Sequence, residues 1–430
     1  MHAFERINDR LTCEGADLAV LAEQHGTPLY VYSAETVFDH YRRLDAALAP
    51  LDHLVCYAVK ANSTGALLAG LTQLGGGFDI VSAGELFRVI RAGGDPSLCT
   101  FAGVGKTAEE IGYALDRGIL CFNVESEPEL ERINAVAERR GVRAPIAVRV
   151  NPDVEAGTHK YISTGRSGNK FGIGLDRILE VYAIAAALPH LSIVGVQTHI
   201  GSQITRPGPF AEAVAKMIPL VSELKARHGI RLFSIGGGMG IVYRDALASG
   251  TRAWWEGVGS EAHPLDLDAY ARAVVPLLQP LGLRILFEPG RFIVGNAGVL
   301  LTRVQYVKRA PDKTFVVVDA AMNDLIRPAL YQSYHEIVPV IENPDAPVTP
   351  VDVVGPVCES GDFFAQDRPL PEVYAGDLLA LMSAGAYGFT MASTYNSRPL
   401  TAEVVVRGGK PFLARERGTL EDLVRGEHLA

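Results

Sequence analysis

Four short motifs hold the groups most able to do chemistry: YAVKAN with Lys60, QTHIGSQ with His199, IGGGMG with Gly236, Gly237, Gly238 and Gly240, and FEPGR with Glu288, Pro289, Gly290 and Arg291. A lysine held partly out of water has a lowered pKa and can form a Schiff base. Glycine turns let backbone N–H groups approach and cradle a phosphate. Taken singly, each feature has a plainer reading, because a lone lysine past a strand end is usually solvated and a lone histidine is usually structural. Their joint placement is what carries weight.

That placement follows from the elements. Apolar runs bounded by Gly, Asn or Pro occur at Leu54–Lys60, Phe78–Ser82, Cys99–Gly103, Cys121–Glu125, Ile146–Asn151, Ser192–His199, Leu232–Gly238 and Arg284–Gly290, with amphipathic stretches between them. Eight strand and helix alternations predict an α/β fold of the TIM (β/α)8 barrel type, whose reactive groups lie at the carboxyl ends of the strands. The motifs fall at the ends of strands one, six, seven and eight. A phosphate cradle after strands seven and eight, a lysine, a flat imidazole and a carboxylate suit pyridoxal 5'-phosphate, with Lys60 on the aldehyde, His199 on the ring and Glu288 on the pyridine nitrogen.

After about Arg291 the texture changes to alternating runs such as Lys313–Asp319, Val351–Val354, Asp377–Met382 and Thr401–Val406, which predict a second, mostly β-stranded domain of sandwich or barrel type. The expected division is a pyridoxal phosphate-binding barrel over 28–288, and a β domain over 1–27 and 289–430. Residues 1–27 are expected either to add a strand to the β domain or to form a lead-in. The stretch DALASGTRAWWEGVGSEAHP, covering the 246–264 insertion with Trp254 and Trp255, reads either as a surface loop whose Trp pair packs on a barrel helix, or as a cover or subunit contact.

Composition excludes other classes. With 40 basic and 49 acidic residues, the formal charge of -9 offers no field for nucleic acid or an anionic membrane. The five scattered cysteines fit neither a disulfide framework nor a zinc ribbon, and no metal site is expected. They point to a reducing cytoplasm. A charged start and apolar runs broken by Pro and His give no expectation of an export signal or a membrane span.

The motifs YAVKAN, FDIVSAGE, KFGI, THIGSQ, GGGMG, EPGR, NDLIRPALY, GPVCESGD and SAGAYGFTMAS, in that order, resemble the diaminopimelate decarboxylases of the alanine racemase-like group of pyridoxal phosphate enzymes. The resemblance implies decarboxylation of meso-2,6-diaminopimelate to L-lysine, the last step of lysine biosynthesis, by a homodimer with shared active sites. It implies that Lys60 is the Schiff base lysine with the acid Asp79 near it, that His199 stacks on the ring, and that Ser202, Gly238, Gly240 and the backbone of Pro289, Gly290 and Arg291 form the phosphate site. It makes Arg291, Arg327 and Tyr331 contacts to the distal carboxylate, Glu359 the contact to the distal ammonium, and Tyr387 a contact to both cofactor and substrate. Cys358 is then the proton donor, supplied with Glu359 by the partner subunit. Decarboxylation of ornithine, arginine or carboxynorspermidine, a silent binding homologue, and an alanine racemase are the alternatives. A substrate whose far end carries both carboxylate and ammonium needs both Arg and Glu, and this chain has both.

Overall fold

The computed structural model describes residues 1–154, 171–257 and 265–429. They form two compact units, one of residues 38–241 and 265–292 and one of residues 1–37, 242–257 and 293–429.

In the first unit, eight parallel strands close on themselves: His53–Ala58, Gly77–Ile80, Cys99–Phe101, Cys121–Val124, Ala144–Asn151, Leu191–Thr198, Leu232–Ser234 and Arg284–Phe287. Each pairs with the next, and the last pairs with the first through Ile285↔His53 and Phe287↔Val55. A short strand, Ile173–Gly174, adds to the flank of Ala144–Asn151. Period-two alternation explains why these runs suit a barrel. Leu54 and Cys56 join Cys121, Ala147, Val194, Leu232 and Leu286 in one interior cluster, while intervening Val55 and Tyr57 are equally buried on the other face. Helices alternate with the strands, and their starts are fixed locally: Ser82 caps Ala83–Arg91 by accepting from Glu85 N–H, and Thr107 and Glu110 form a reciprocal capping box on Ala108–Asp116. All eight expected strands are present. Their regular part stops short of the polar motifs, so Lys60, His199 and the glycines lie in the turns just beyond the strands.

The second unit is mostly β. Its main sheet runs Phe363–Pro371, Val348–Val354, Thr314–Val318, Gly298–Arg309, Leu29–Ser33, Ala402–Arg407, Lys410–Arg415. Leu378–Leu381 also pairs with Gly298–Arg309 and carries Ile337–Pro339. Leu29–Ser33 is an interior strand of this sheet, antiparallel to Gly298–Arg309 and parallel to Ala402–Arg407. This corrects the expected boundary at 28. LYVYS is buried at every position, as a central strand covered on both faces must be, so the barrel unit begins at 38 instead. Residues 1–27 are more than one added strand: Phe4–Ile7, Arg10–Cys13 and Ala16–Asp17 form a small antiparallel sheet, followed by the helix Leu18–His25. Phe4, Leu11, Cys13 and Leu18 share a core with Val31, Val299, Leu301 and Val404.

Within the insertion, Ala246 joins that same core, Trp254 and Trp255 meet edge to face at 5.2 Å, and Trp255 Nε1 donates to the Ser249 carbonyl at 2.7 Å. Positions 258–264 of the insertion and Lys170 of the KFGI motif lie outside the described residues.

Leu301 is fully buried at the centre of the β core, so Leu301→Ala is expected to cost about 2–5 kcal/mol. Tyr306→Ala, at a side chain 70% exposed near the end of the same strand, should change stability by less than about 0.5 kcal/mol. Urea denaturation of both variants tests this assignment of faces.

Candidate active site

The strand His53–Ala58 ends in a single 3-10 turn, Val59–Ala61, which lifts Lys60 out of the strand. Its Nζ lies 2.6 Å from Asp79 Oδ2, and the Lys60 side chain is 41% exposed whereas that of Asp79 is 1% exposed. The register puts Asp79 opposite Ala58 on the neighbouring strand, so this pair follows from strand pairing. Asp79 Oδ1 is buried and has no hydrogen-bond partner among the described residues.

Glu288, at the end of the last strand, is buried beneath neutral donors. Ser234 Oγ donates to Oε1 at 2.6 Å, Gln197 Nε2 to Oε2 at 3.1 Å, and Asn123 Nδ2 to Oε1 at 3.4 Å. Burial, reinforced by the charge of Asp79, raises its pKa to about 7. Asn123 Oδ1 and Gln197 Oε1 are also buried without partners among the described residues. None of the three donors was expected from sequence. Their signal was a polar residue inside an otherwise apolar strand: Asn123 in CFNV, Gln197 in LSIVGVQT and Ser234 in LFS.

His199 follows the sixth strand, and its Nδ1 accepts the Gly237 N–H at 3.1 Å. The neutral ring therefore carries its proton on Nε2. Desolvation, then the charges of Arg149 and Lys60, hold its pKa well below the usual histidine value. The glycine turn is tightly constrained. Gly236 and Gly238 have φ of +72° and +104°, and a Cβ on Gly237 would stand 2.1 Å from the Glu288 carbonyl oxygen. Two loops zip together here through Ile204 N–H to Gly238 O and Gly240 N–H to Ile204 O, both 2.9 Å. Gln203 adds both ends of its amide to Ile241. Arg291 Nη2 donates to Ser202 Oγ at 2.9 Å, and Gly290 packs on Ala58 and Ala61, where a Cβ would come within 3.1 Å of both methyls. Lys60 with Asp79, Glu288, His199 with the glycine turn, and Ser202 with Arg291 are thus all set at the carboxyl ends of barrel strands.

The same unit holds ion pairs that sequence reading missed. Lys106 is 2.6 Å from Glu129, and Arg149 is 3.2 Å from Glu125; all four side chains are under 10% exposed. Glu85 of FDIVSAGE caps Val81 N–H, and burial raises its pKa to about 7.

In the β unit, Arg327 opens the helix Arg327–Tyr331 and is buried. Its Nε lies 3.4 Å from His335 Nε2, its Nη2 lies 3.3 Å from Ser333 Oγ, and its Cζ lies 5.3 Å from the centre of the Tyr243 ring and 6.0 Å from that of Tyr387. Tyr387 adopts a left-handed φ of +57°. Tyr331 closes the same helix. Cys358 and Glu359 are exposed on a turn fixed by Asp362, which accepts from Met322 N–H and Val357 N–H at 2.7 Å each. The other four cysteines are buried, and burial raises all their thiol pKa values, those of Cys99 and Cys121 to about 12.

Glu288 predicts a pH dependence. A carboxyl raised from an unfolded value near 4.5 to about 7 makes this residue's contribution to stability greatest below 4.5, and that contribution is lost as pH rises through 7. In protein stripped of small molecules, Glu288→Gln is expected to lose less stability than the parent between pH 5 and 8, as measured by urea denaturation at each pH.

Residues 34–295 match the family model described as pyridoxal-dependent decarboxylase, pyridoxal binding domain. The chain is 50% identical over 416 residues to the diaminopimelate decarboxylase of Vibrio cholerae, covering 96% of this chain and 95% of that one. It is 50% identical over 430 residues to that of Pseudomonas aeruginosa, covering 100% and 99%. Among solved structures, diaminopimelate decarboxylase from Helicobacter pylori complexed with L-lysine matches with a TM-score of 0.88 at 40% identity, covering 95% of this chain and 98% of that one. The M. jannaschii enzyme in co-complex with L-lysine matches with a TM-score of 0.90 at 35% identity, covering 100% and 99%. With a barrel, a lysine and acid pair and a glycine clip of this kind, the chain belongs to the diaminopimelate decarboxylase family of pyridoxal-dependent decarboxylases.

Proposed function

We propose that this chain decarboxylates meso-2,6-diaminopimelate to L-lysine and carbon dioxide, the last step of lysine biosynthesis, with pyridoxal 5'-phosphate as cofactor. The observation that carries this reading is the single barrel rim holding Lys60 on Asp79, buried Glu288 and the glycine clip. The rim fits the cofactor. Buried acceptors on Asp79, Asn123 and Gln197 have no hydrogen-bond partner among the described residues, and the glycine turn has no room for a Cβ where backbone N–H groups would meet a phosphate.

Bound pyridoxal phosphate supplies the electron sink that takes up the pair left when carbon dioxide departs. Lys60 would supply the amine that holds its aldehyde carbon, with Asp79 Oδ2 2.6 Å from that nitrogen to orient it and balance its charge. Glu288 would hold the proton on the pyridine nitrogen, and its readiness to share a proton near neutrality comes from its burial and the nearby charge of Asp79. His199 offers a flat uncharged face aligned by Gly237 N–H. Ser202, Gly238, Gly240 and the backbone of Pro289, Gly290 and Arg291 take the phosphate.

Arg291, Arg327 and Tyr331 receive the distal carboxylate, Glu359 the distal ammonium, and Tyr387 touches both cofactor and substrate. Cys358 of a second copy gives its thiol proton to the carbon that loses its carboxylate, which makes the working form a homodimer with shared active sites; the exposure of Cys358 and Glu359 supports their use by a partner. The barrel unit then serves as the cofactor domain and the β unit contributes the substrate contacts. Among the described residues no helix is long and apolar enough to cross a membrane, and cytoplasmic residence is part of the proposal.

Incubating purified protein with meso-diaminopimelate, with and without pyridoxal phosphate, should release carbon dioxide and L-lysine in equal amounts, with little release from ornithine or arginine. Release from ornithine or arginine alone would overturn the substrate assignment. Lys60→Ala should abolish the visible absorption of bound cofactor and nearly all turnover. Cys358→Ala should keep the absorption yet lose at least tenfold in kcat, since a positioned proton donor contributes roughly 100-fold or more. A Lys60→Ala enzyme of undiminished rate would sink the scheme.

A further inference from the structure

We infer that Asn323 is a positioning residue for the proton donor, anchoring the turn that carries Cys358 to the segment leading into Arg327. The inference rests on the assignment of Cys358 as that donor. Residues 355–362 fold back on themselves: Gly355 N–H donates to the Asp362 carbonyl at 3.2 Å, Val357 N–H to Asp362 Oδ2 at 2.7 Å, and Glu359 N–H to the Val357 carbonyl at 2.8 Å. Among the described residues, two hydrogen bonds reach beyond this turn and the strands it joins. Met322 N–H donates to Asp362 Oδ1 at 2.7 Å, and Cys358 N–H donates to Asn396 Oδ1 at 3.4 Å.

Both bonds lead to the same place. Asn323 follows Met322, is buried, and clamps the two flanks of the short 3-10 turn Tyr395–Ser397, within which Asn396 has a left-handed φ of +56°. On one flank its carbonyl accepts Ser393 N–H at 2.9 Å and its Nδ2 donates to the Ser393 carbonyl at 3.3 Å. On the other, its Oδ1 accepts Arg398 Nε at 3.0 Å. The partners fix which way the amide faces, because a guanidinium can only donate, whereas the Ser393 carbonyl and the Asp324 carboxylate, 3.1 Å from Nδ2, can only accept. Arg398 is braced in turn by the Asp319 carbonyl and lies 3.7 Å from Asp324. A proton donor acts only over hydrogen-bond distances, so a thiol on an exposed turn depends on a buried anchor to hold its place. Asn323 is that anchor, and it shares the motif NDLIRPALY with Arg327 and Tyr331.

The test uses the holoenzyme at saturating meso-diaminopimelate. Asn323→Ala is expected to lower kcat at least about fivefold and to enlarge the solvent deuterium isotope effect on kcat, because proton donation becomes the slow step, while the visible absorption of bound cofactor stays as in the parent. With Cys358→Ala already in place, adding Asn323→Ala should change kcat by less than about twofold, since the residue acts through that thiol. Iodoacetamide labelling of more than the exposed Cys358 reports unfolding, because the other four cysteines are buried. Asn396→Gly then decides: the side chain is exposed, glycine adopts the left-handed backbone freely, and only the acceptor for Cys358 N–H is lost. It should lower kcat at least about twofold with the same enlarged isotope effect. Parental kcat or an unchanged isotope effect in Asn323→Ala, or in Asn396→Gly where Asn323→Ala unfolds, overturns the inference. So does a loss as large in the Cys358→Ala background as in the parent. Cys358→Ala at the parental rate would instead overturn the donor assignment, and a parent enzyme inactive on meso-diaminopimelate would overturn the function.

Discussion

Closure of the barrel is the constraint on which the rim depends. Eight strands, most of only three to six residues, cannot each hold a side chain precisely, but their pairing into a ring fixes every strand end relative to its neighbours. The seam makes this concrete. Phe287 pairs with Val55, Ala58 N–H reaches the Pro289 carbonyl at 3.0 Å, and Gly290 sits against Ala58 and Ala61. The turn that presents Lys60 and the turn that presents Arg291 are therefore one piece of structure. The residues on it need no mutual sequence proximity, only adjacent strands.

Packing at the rim is close enough that backbone, as much as side chains, defines it. The Glu288 N–H donates to the Gly236 carbonyl at 2.8 Å, while the Glu288 carbonyl occupies the space a Cβ on Gly237 would need. Strand seven can end in three successive glycines because strand eight presses directly upon it. The left-handed turns at Gly236 and Gly238 then bring the chain back to Gly201 and Ile204, so the sixth, seventh and eighth strand ends form one layer.

Much of this was legible in sequence because motifs are local. Lys60, His199, the glycines and FEPGR each stand in a run whose composition announces a strand followed by a turn. Asp79 and Glu359 needed the family resemblance. The missed residues share a different property: Asn123, Gln197 and Ser234 come from three strands and become a group only when Glu288 is buried among them. His335 was hidden for the same reason, since its partners Arg327 and Met382 lie 8 and 47 residues away. Leu29–Ser33 looked like part of the barrel stretch because an apolar β-branched and aromatic run does not say which sheet it enters. Only its partners, Gly298–Arg309 and Ala402–Arg407, decide that.

Two ways of holding a buried charge recur, and they sort structural groups from chemical ones. Lys106 with Glu129, and Arg149 with Glu125, are paired with opposite charges and further hydrogen bonds, an arrangement that satisfies both partners and leaves them nothing to exchange. Glu288 is held instead by a hydroxyl and two amides, and burial together with the nearby charge of Asp79 raises its proton affinity until it can trade a proton near neutrality. Arg327 in the β unit lies beside an imidazole and a serine hydroxyl. Lys60 stands between the two: its carboxylate partner is buried, but the amine itself is substantially exposed, and one oxygen of Asp79 has no partner among the described residues. A charge paired with an opposite one is committed to the fold, whereas the buried Glu288, surrounded by a hydroxyl and two amides, is a residue proposed to meet the cofactor.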